Sequence, residues 1–114
     1  MVSYWKTEIP KQDYYAVIFC SKKSEKLEGY KEMDDYIMKL AMNEPGFLGY
    51  ESNGDLTGGI FISYWKDMEA INRWKNNSDH IKAKEKGIAH WYDRFLSQIC
   101  KVEHTHHFMR EKSK

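Results

Sequence analysis

The run Tyr14-Tyr15-Ala16-Val17-Ile18-Phe19-Cys20 decides how the rest of the chain must fold. It is apolar at both odd and even positions, and a strand points successive side chains to opposite faces, so this strand is covered on two sides and belongs in the middle of a sheet. Ser24 is placed to cap a helix whose apolar positions Tyr30, Met33, Ile37, Leu40 and Ala41 recur at spacings of three and four before Pro45-Gly46 stops it. Residues 47–52 then read as a short strand, Asn53-Gly54-Asp55 supplies residues tolerant of positive φ for a hairpin turn, and Gly58-Gly59 adds a bulge. The return strand is Ile60-Phe61-Ile62-Ser63-Tyr64-Trp65. Asp67 is placed to cap a helix carrying Ala70, Ile71 and Trp74, which Asn76-Asn77-Ser78 interrupts. Ser78 or Asp79 caps a second short helix through Lys86, with Gly87 in its left-handed C-terminal position. A last strand spans residues 92–102, where Leu96, Cys100 and Val102 share one face with Gln98.

This order is β-α-β-β-α-β, the ferredoxin-like arrangement of an α+β domain. The 114 residues suit one domain, with a core at about 13–103 and a polar C-terminal tail at 104–114. Such a sheet carries helices on one face only. With Tyr14, Ala16 and Ile18 placed beneath the helices, Tyr15, Phe19 and Phe61 need another cover, and a second protomer supplies it; a homodimer is therefore expected.

Composition narrows the function. Hydrophobic residues at 41% and charged ones at 31% are globular proportions. The 18 basic and 17 acidic side chains nearly cancel, so no net field attracts nucleic acid or an anionic membrane. No apolar run approaches the roughly 20 residues of a spanning helix, the N-terminus lacks a signal-peptide pattern, and a cytoplasmic protein is expected. Cys20 and Cys100 lie far apart inside apolar segments and read as small buried hydrophobes.

Three stretches carry a family resemblance: Pro45-Gly46-Phe47-Leu48-Gly49-Tyr50-Glu51-Ser52, then Ser63-Tyr64-Trp65-Lys66-Asp67-Met68-Glu69-Ala70-Ile71, then Trp74-Lys75. Together they resemble the antibiotic biosynthesis monooxygenase domain, and His80-Ile81-Lys82-Ala83, Gly87 and Trp91-Tyr92 are similar to a mostly uncharacterised bacterial subgroup of it. The resemblance implies a dimeric α/β barrel with a pocket between sheet and helices in each protomer. Several members oxidise aromatic polyketides without metal or flavin; others degrade haem. The haem-degrading branch is similar at Trp65 and Trp74, but where it has an axial histidine this chain has Lys84 and Glu85, and Val17, Ile18, Phe19 and Cys20 replace its strand-one asparagine.

The function the resemblance implies is cofactor-independent monooxygenation of a small hydrophobic or aromatic substrate. The alternative is a non-catalytic dimer that binds a hydrophobic metabolite or haem. Trp74 combines the family match with a side chain able to wall an aromatic pocket and donate one N–H, against its plainer role as a core anchor. His80 starts a helix, where the dipole favours a neutral, proton-accepting imidazole; as general base it would deprotonate a phenol, and as a mere surface residue it would cap the helix. Tyr64, Trp65, Trp91 and Tyr92 are candidate substrate-stacking residues that equally suit a dimer interface. His104 and His106 share a strand face, but no third ligand has matching spacing, so no metal site is expected. No phosphate-binding glycine loop precedes a helix and no nucleophile motif is present, so neither a nucleotide cofactor nor hydrolysis is indicated.

Overall fold

The computed structural model describes residues 1–111; the last three residues of the expected polar tail lie outside them. The elements are β1 Val2–Trp5, β2 Tyr14–Lys23, α1 Tyr30–Met42, β3 Phe47–Asp55, β4 Gly58–Trp65, α2 Met68–Lys75, α3 Ser78–Lys86, a π-helical turn at Gly87–Trp91, and β5 Tyr92–Val102. All strand pairs are antiparallel, in the order β1-β3-β4-β2-β5. The α+β ferredoxin-like order is present as β2-α1-β3-β4-α2-β5, extended by β1 and α3. Strand β1 escaped the sequence reading because four residues are too few for alternation to register against neighbouring polar positions. Among the described residues no helix is long and apolar enough to cross a membrane.

Strand β2 is central, flanked by β4 and β5. Its register sets Tyr15 opposite Trp65, Val17 opposite Ser63 and Phe19 opposite Phe61. These residues lie on the face the helices cover. There Phe47, Trp65, Ala70, Ile71, Trp74 and Ala41 form the core, with Tyr15, Val17 and Ile37 packed around it. Trp65 is 0% exposed, and its Nε1 donates to the Ser63 hydroxyl at 2.9 Å. Burying a side chain of this kind contributes about 1.5–3 kcal/mol, and the internal hydrogen bond removes the cost of an unpaired indole N–H.

The expected face assignment is thus inverted: Tyr15, Phe19 and Phe61 point to the helices, and Tyr14, Ala16 and Ile18 point away. Alternation identifies which residues share a face but not which face the helices close on, and α2 chooses by placing Ile71 and Trp74 over Trp65. On the far side, Tyr14 and Ala16 are buried nonetheless. The Trp5 ring lies 6.3 Å from that of Tyr14, and the Tyr14 hydroxyl meets Thr105 Oγ1 at 2.8 Å. The rest of that face stays open, with Ile60 51% and Leu96 42% exposed.

Local signals moved in three places. Helix α1 starts six residues after Ser24, on Gly29 in the left-handed region; Ser24 instead accepts from the Lys26 amide and donates its hydroxyl to the His90 carbonyl. The hairpin turn is Leu56-Thr57, since Asp55 pairs with Gly58 and the Asp55 carboxylate accepts from the Thr57 amide at 2.7 Å. Helix α3 is capped by Asn77, whose Oδ1 accepts from the Asp79 and His80 amides. Gly87 is right-handed, not left-handed, and continues into the π-helical turn; a Cβ there would meet the Tyr92 ring at 2.8 Å. Asp67 caps α2 as expected, accepting from the Ala70 amide at 2.9 Å.

Gly46 joins α1 to β3 at φ +88°, and a Cβ on it would lie 2.6 Å from that of Ala70. A Gly46→Ala variant is expected to lose about 1–3 kcal/mol or more in urea denaturation, since both backbone and α2 must yield.

Candidate functional site

The structure divides the six sequence-predicted site residues among three places. Trp65, at the end of β4, stacks on Trp74 of α2 with ring centroids 6.1 Å apart, and Trp74 stacks on His80 of α3 at 4.4 Å and 15°. These three residues form one continuous column. Tyr64, adjacent to Trp65 in a strand, faces the other side of the sheet and stacks on Trp5 at 4.4 Å. Tyr64 and Trp65 therefore cannot flank one ligand within a protomer. Trp91 is buried and donates its Nε1 to the Glu28 carbonyl at 3.0 Å, pinning the π-helical turn to the loop before α1. Tyr92 follows it into β5, with its ring 5.3 Å from Phe19.

The column has a defined chemistry at its His80 end. Asn77 holds the start of α3, and His80 Nδ1 lies 3.1 Å from the Trp74 carbonyl oxygen. A carbonyl only accepts, so Nδ1 carries the proton and Nε2 is the basic nitrogen of the neutral ring. Burial lowers the His80 pKa from its ordinary value, the Lys84 charge lowers it further, and the hydrogen bond to Trp74 opposes them. The result is a half-buried imidazole that is neutral at pH 7 and accepts protons through Nε2. Trp74 itself is 9% exposed and donates no side-chain hydrogen bond to the described residues.

A second feature went unrecognised in the sequence. On the helix side of the sheet, Tyr4, Tyr50, Phe61, Phe19 and Phe95 form a row that crosses all five strands. Tyr50 stacks on Phe61 at 5.6 Å, and Phe19 stacks on Phe95 at 5.3 Å. The four rings from Tyr50 to Phe95 are half-buried; Tyr50 packs against the margin of the core, and Phe61, Phe19 and Phe95 continue the row away from it. Its only sequence signal is one aromatic at matching parity in each strand, visible once the register is known.

At the β2/β5 end of this shelf stand Tyr30 and Tyr92, with the Lys23 ammonium 4.8 Å from the centre of the Tyr30 ring. Burial, then the Asp34 charge and the neighbouring Tyr92, push the Tyr30 phenol far above its usual value. Burial raises Tyr92 as well, against an opposing hydrogen bond from Tyr30.

Two surface concavities lie elsewhere. One of about 540 Å³ runs between Met33, Lys82, Lys86, His90 and Trp91, and one of about 360 Å³ surrounds the β3–β4 hairpin tip. Neither borders Trp74 or His80. Among the described residues no three His, Cys, Asp or Glu side chains gather as a metal ion requires. His104 and His106 are exposed beyond β5, and Lys84 and Glu85 are exposed on α3.

Comparison with known proteins bears on the family and the fold. The family model described as antibiotic biosynthesis monooxygenase matches residues 14–86. The uncharacterised protein YqjZ of Bacillus subtilis strain 168 is 45% identical over 98 residues, covering 85% of this chain and 86% of that protein. SnoaB, a cofactor-independent oxygenase from Streptomyces nogalater, superposes with a TM-score of 0.68 at 11% identity, over 82% of this chain and 96% of its own. A conserved protein from Methanosarcina mazei Go1 superposes with a TM-score of 0.71 at 11% identity, over 81% and 95%. At such identities the structural matches establish the fold.

The depressed pKa of His80 links its protonation to folding. The folded state disfavours the proton that the unfolded chain accepts near pH 6.5, so the stabilising contribution is complete above that value and is lost as pH falls through the folded pKa. Thermal unfolding at pH 8 and pH 5 is expected to show a larger acid destabilisation in wild type than in His80→Gln.

Proposed function

Because the chain belongs to the antibiotic biosynthesis monooxygenase family, we propose that it is a cofactor-independent monooxygenase acting on a small aromatic substrate, working as a homodimer in the cytoplasm. The observation that carries this reading is the neutral His80, oriented by the Trp74 carbonyl with Nε2 left as proton acceptor. A cofactor-free oxygenase needs such a base, because only the anion of a phenol or enol is electron-rich enough to react directly with dioxygen. The fold it shares with SnoaB, itself a cofactor-independent oxygenase, supports the same assignment.

In the proposed reaction Nε2 takes the hydroxyl proton of an enol whose keto form carries a CH₂ group. The anion passes one electron to dioxygen, the radical pair combines into the C–O bond of a peroxide anion, and the protonated His80 returns its proton to give the hydroperoxide. Cleavage of the resulting hydroperoxide leaves a carbonyl and releases water. The substrate loses two hydrogens and four electrons; one oxygen atom stays on carbon and the other leaves in water. Trp74 walls the reacting group and supplies an N–H donor to developing negative charge. Trp65 positions Trp74 from beneath, and the aromatic shelf offers flat stacking surface.

The competing reading, a non-catalytic binding protein, is favoured by the openness of that shelf, whose rings are half-exposed and not enclosed against water. Oxygen uptake with a panel of phenols and quinols separates the two. Turnover is expected in wild type, with a loss of about 10²-fold or more in His80→Gln and a clear reduction in Trp74→Phe. Ligand binding without uptake on any substrate would establish the binding role instead.

The proposed dimer rests on the open face around Ile18, Ile60, Ile62 and Leu96, an apolar patch on the side of the sheet that no helix covers. Light scattering at micromolar concentration is expected to give twice the 13.6 kDa chain mass, and Leu96→Asp is expected to shift it to monomer.

A further inference from the structure

Trp74 and His80 stand on different helices, and the contact between them depends on the residue that joins those helices. Asn77 is extended, at φ −63° and ψ 126°, between the end of α2 and the start of α3. Its backbone groups and its side-chain oxygen are all engaged. The N–H donates to the Trp74 carbonyl at 3.1 Å, and the carbonyl accepts from the Ile81 amide at 2.9 Å. Oδ1 accepts from the Asp79 and His80 amides at 2.9 and 3.1 Å.

Three of these contacts close a loop. The Trp74 carbonyl accepts from the Asn77 amide, Asn77 Oδ1 accepts from the His80 amide, and His80 Nδ1 returns to the Trp74 carbonyl at 3.1 Å. An ordinary helix cap satisfies orphan amides and leaves the side chains of the first turn free to rotate. Here the capping residue also grips the carbonyl that receives the proton of the imidazole. The first two bonds therefore fix the His80 backbone relative to that carbonyl, while stacking on Trp74 at 4.4 Å fixes the plane of the ring.

The consequence is chemical. An unconstrained neutral imidazole carries its proton on either nitrogen, and the bond made by one nitrogen decides the state of the other. With the proton on Nε2, the Nδ1 lone pair would face the lone pairs of the Trp74 carbonyl, and Nε2 could accept nothing from a substrate. We infer that Asn77 is the positioning residue of the candidate base: by holding the Trp74 carbonyl and the His80 amide together, it keeps the imidazole proton on Nδ1 and leaves Nε2 free to accept. It acts through His80 and is not itself a catalytic residue. The inference deepens the proposed function, and its effect on turnover rests on the reading of His80 as a base; its effect on the tautomer does not.

The test is nitrogen NMR of the isotopically labelled full chain at pH 8, with the His80 signals identified by their absence from His80→Gln. Wild type is expected to show a protonated Nδ1 and an unprotonated Nε2. In Asn77→Ala and Asn77→Gly both signals are expected to move toward averaged positions, and Asn77→Asp, which keeps an oxygen in place, is expected to restore the wild-type pair. Oxygen uptake on the best substrate of the panel should follow the same order, with kcat/KM lower by about tenfold or more in the first two variants. Glycine starts a helix nearly as well as asparagine, and the Tyr36 hydroxyl independently ties the Asp79 carboxylate to α1 at 2.9 Å, so Asn77→Gly keeps α3 anchored. A cap that served stability alone would lower the unfolding temperature and leave the tautomer unchanged below it, which would overturn the inference. A wild-type His80 protonated on Nε2 would overturn it too. If the tautomer responds as expected but wild type consumes no oxygen with any substrate, the positioning role stands and the oxygenase reading falls.

Discussion

Trp65 is the residue on which the arrangement turns. It ends β4, pairs across strands with Tyr15 of β2 and Phe47 of β3, and lies face to face with Trp74 of α2 while fully withdrawn from water. A ring of that size can be buried at a strand end only if a helix follows at once to cover it. Asp67 provides this by capping α2 two residues later, so that Ala70, Ile71 and Trp74 arrive over the ring within two helical turns. The same geometry orients the candidate base. His80 stacks on Trp74 from the far side and points Nδ1 at its backbone carbonyl, so the core sets both the ring plane and the tautomer of a half-exposed histidine.

Core packing occupies only part of the helix-facing sheet. The Trp65 end is filled, and the end near the β3–β4 hairpin carries the half-buried rings of Phe61, Phe19 and Phe95. Division of one sheet face into a packed part and an open part lets a short chain hold both a stable core and an open aromatic surface, because the first rigidifies the floor of the second. The opposite face is divided in the same way. Trp5, Tyr14, Tyr64 and Thr105 close one end of it, and the isoleucines of β2 and β4 with Leu96 are left apolar and open.

Several candidates changed meaning once placed in three dimensions. Tyr64 and Trp65 look like one aromatic pair in the sequence, yet the pleat sends them to opposite faces. Trp91 serves a structural purpose, tying the π-helical turn to Glu28. Trp74 and His80 are six residues apart on two helices, and the Asn77 cap between them turns the chain so that their rings meet.

What the sequence by itself determined was the kind and order of elements: a doubly apolar central strand, a helix stopped at Pro45-Gly46, an Asp67 cap, and the family motifs around Trp65 and Trp74. These are local signals, each legible within a few residues. Tertiary structure alone decided which sheet face the helices cover, where the hairpin turns, that Val2–Trp5 adds a fifth strand, and that Tyr50, Phe61, Phe19 and Phe95 line up into one surface. The reason is physical: a strand's pattern has period two and is unchanged when its faces are exchanged, so only the register against neighbouring strands and the packing of α2 on Trp65 break that symmetry.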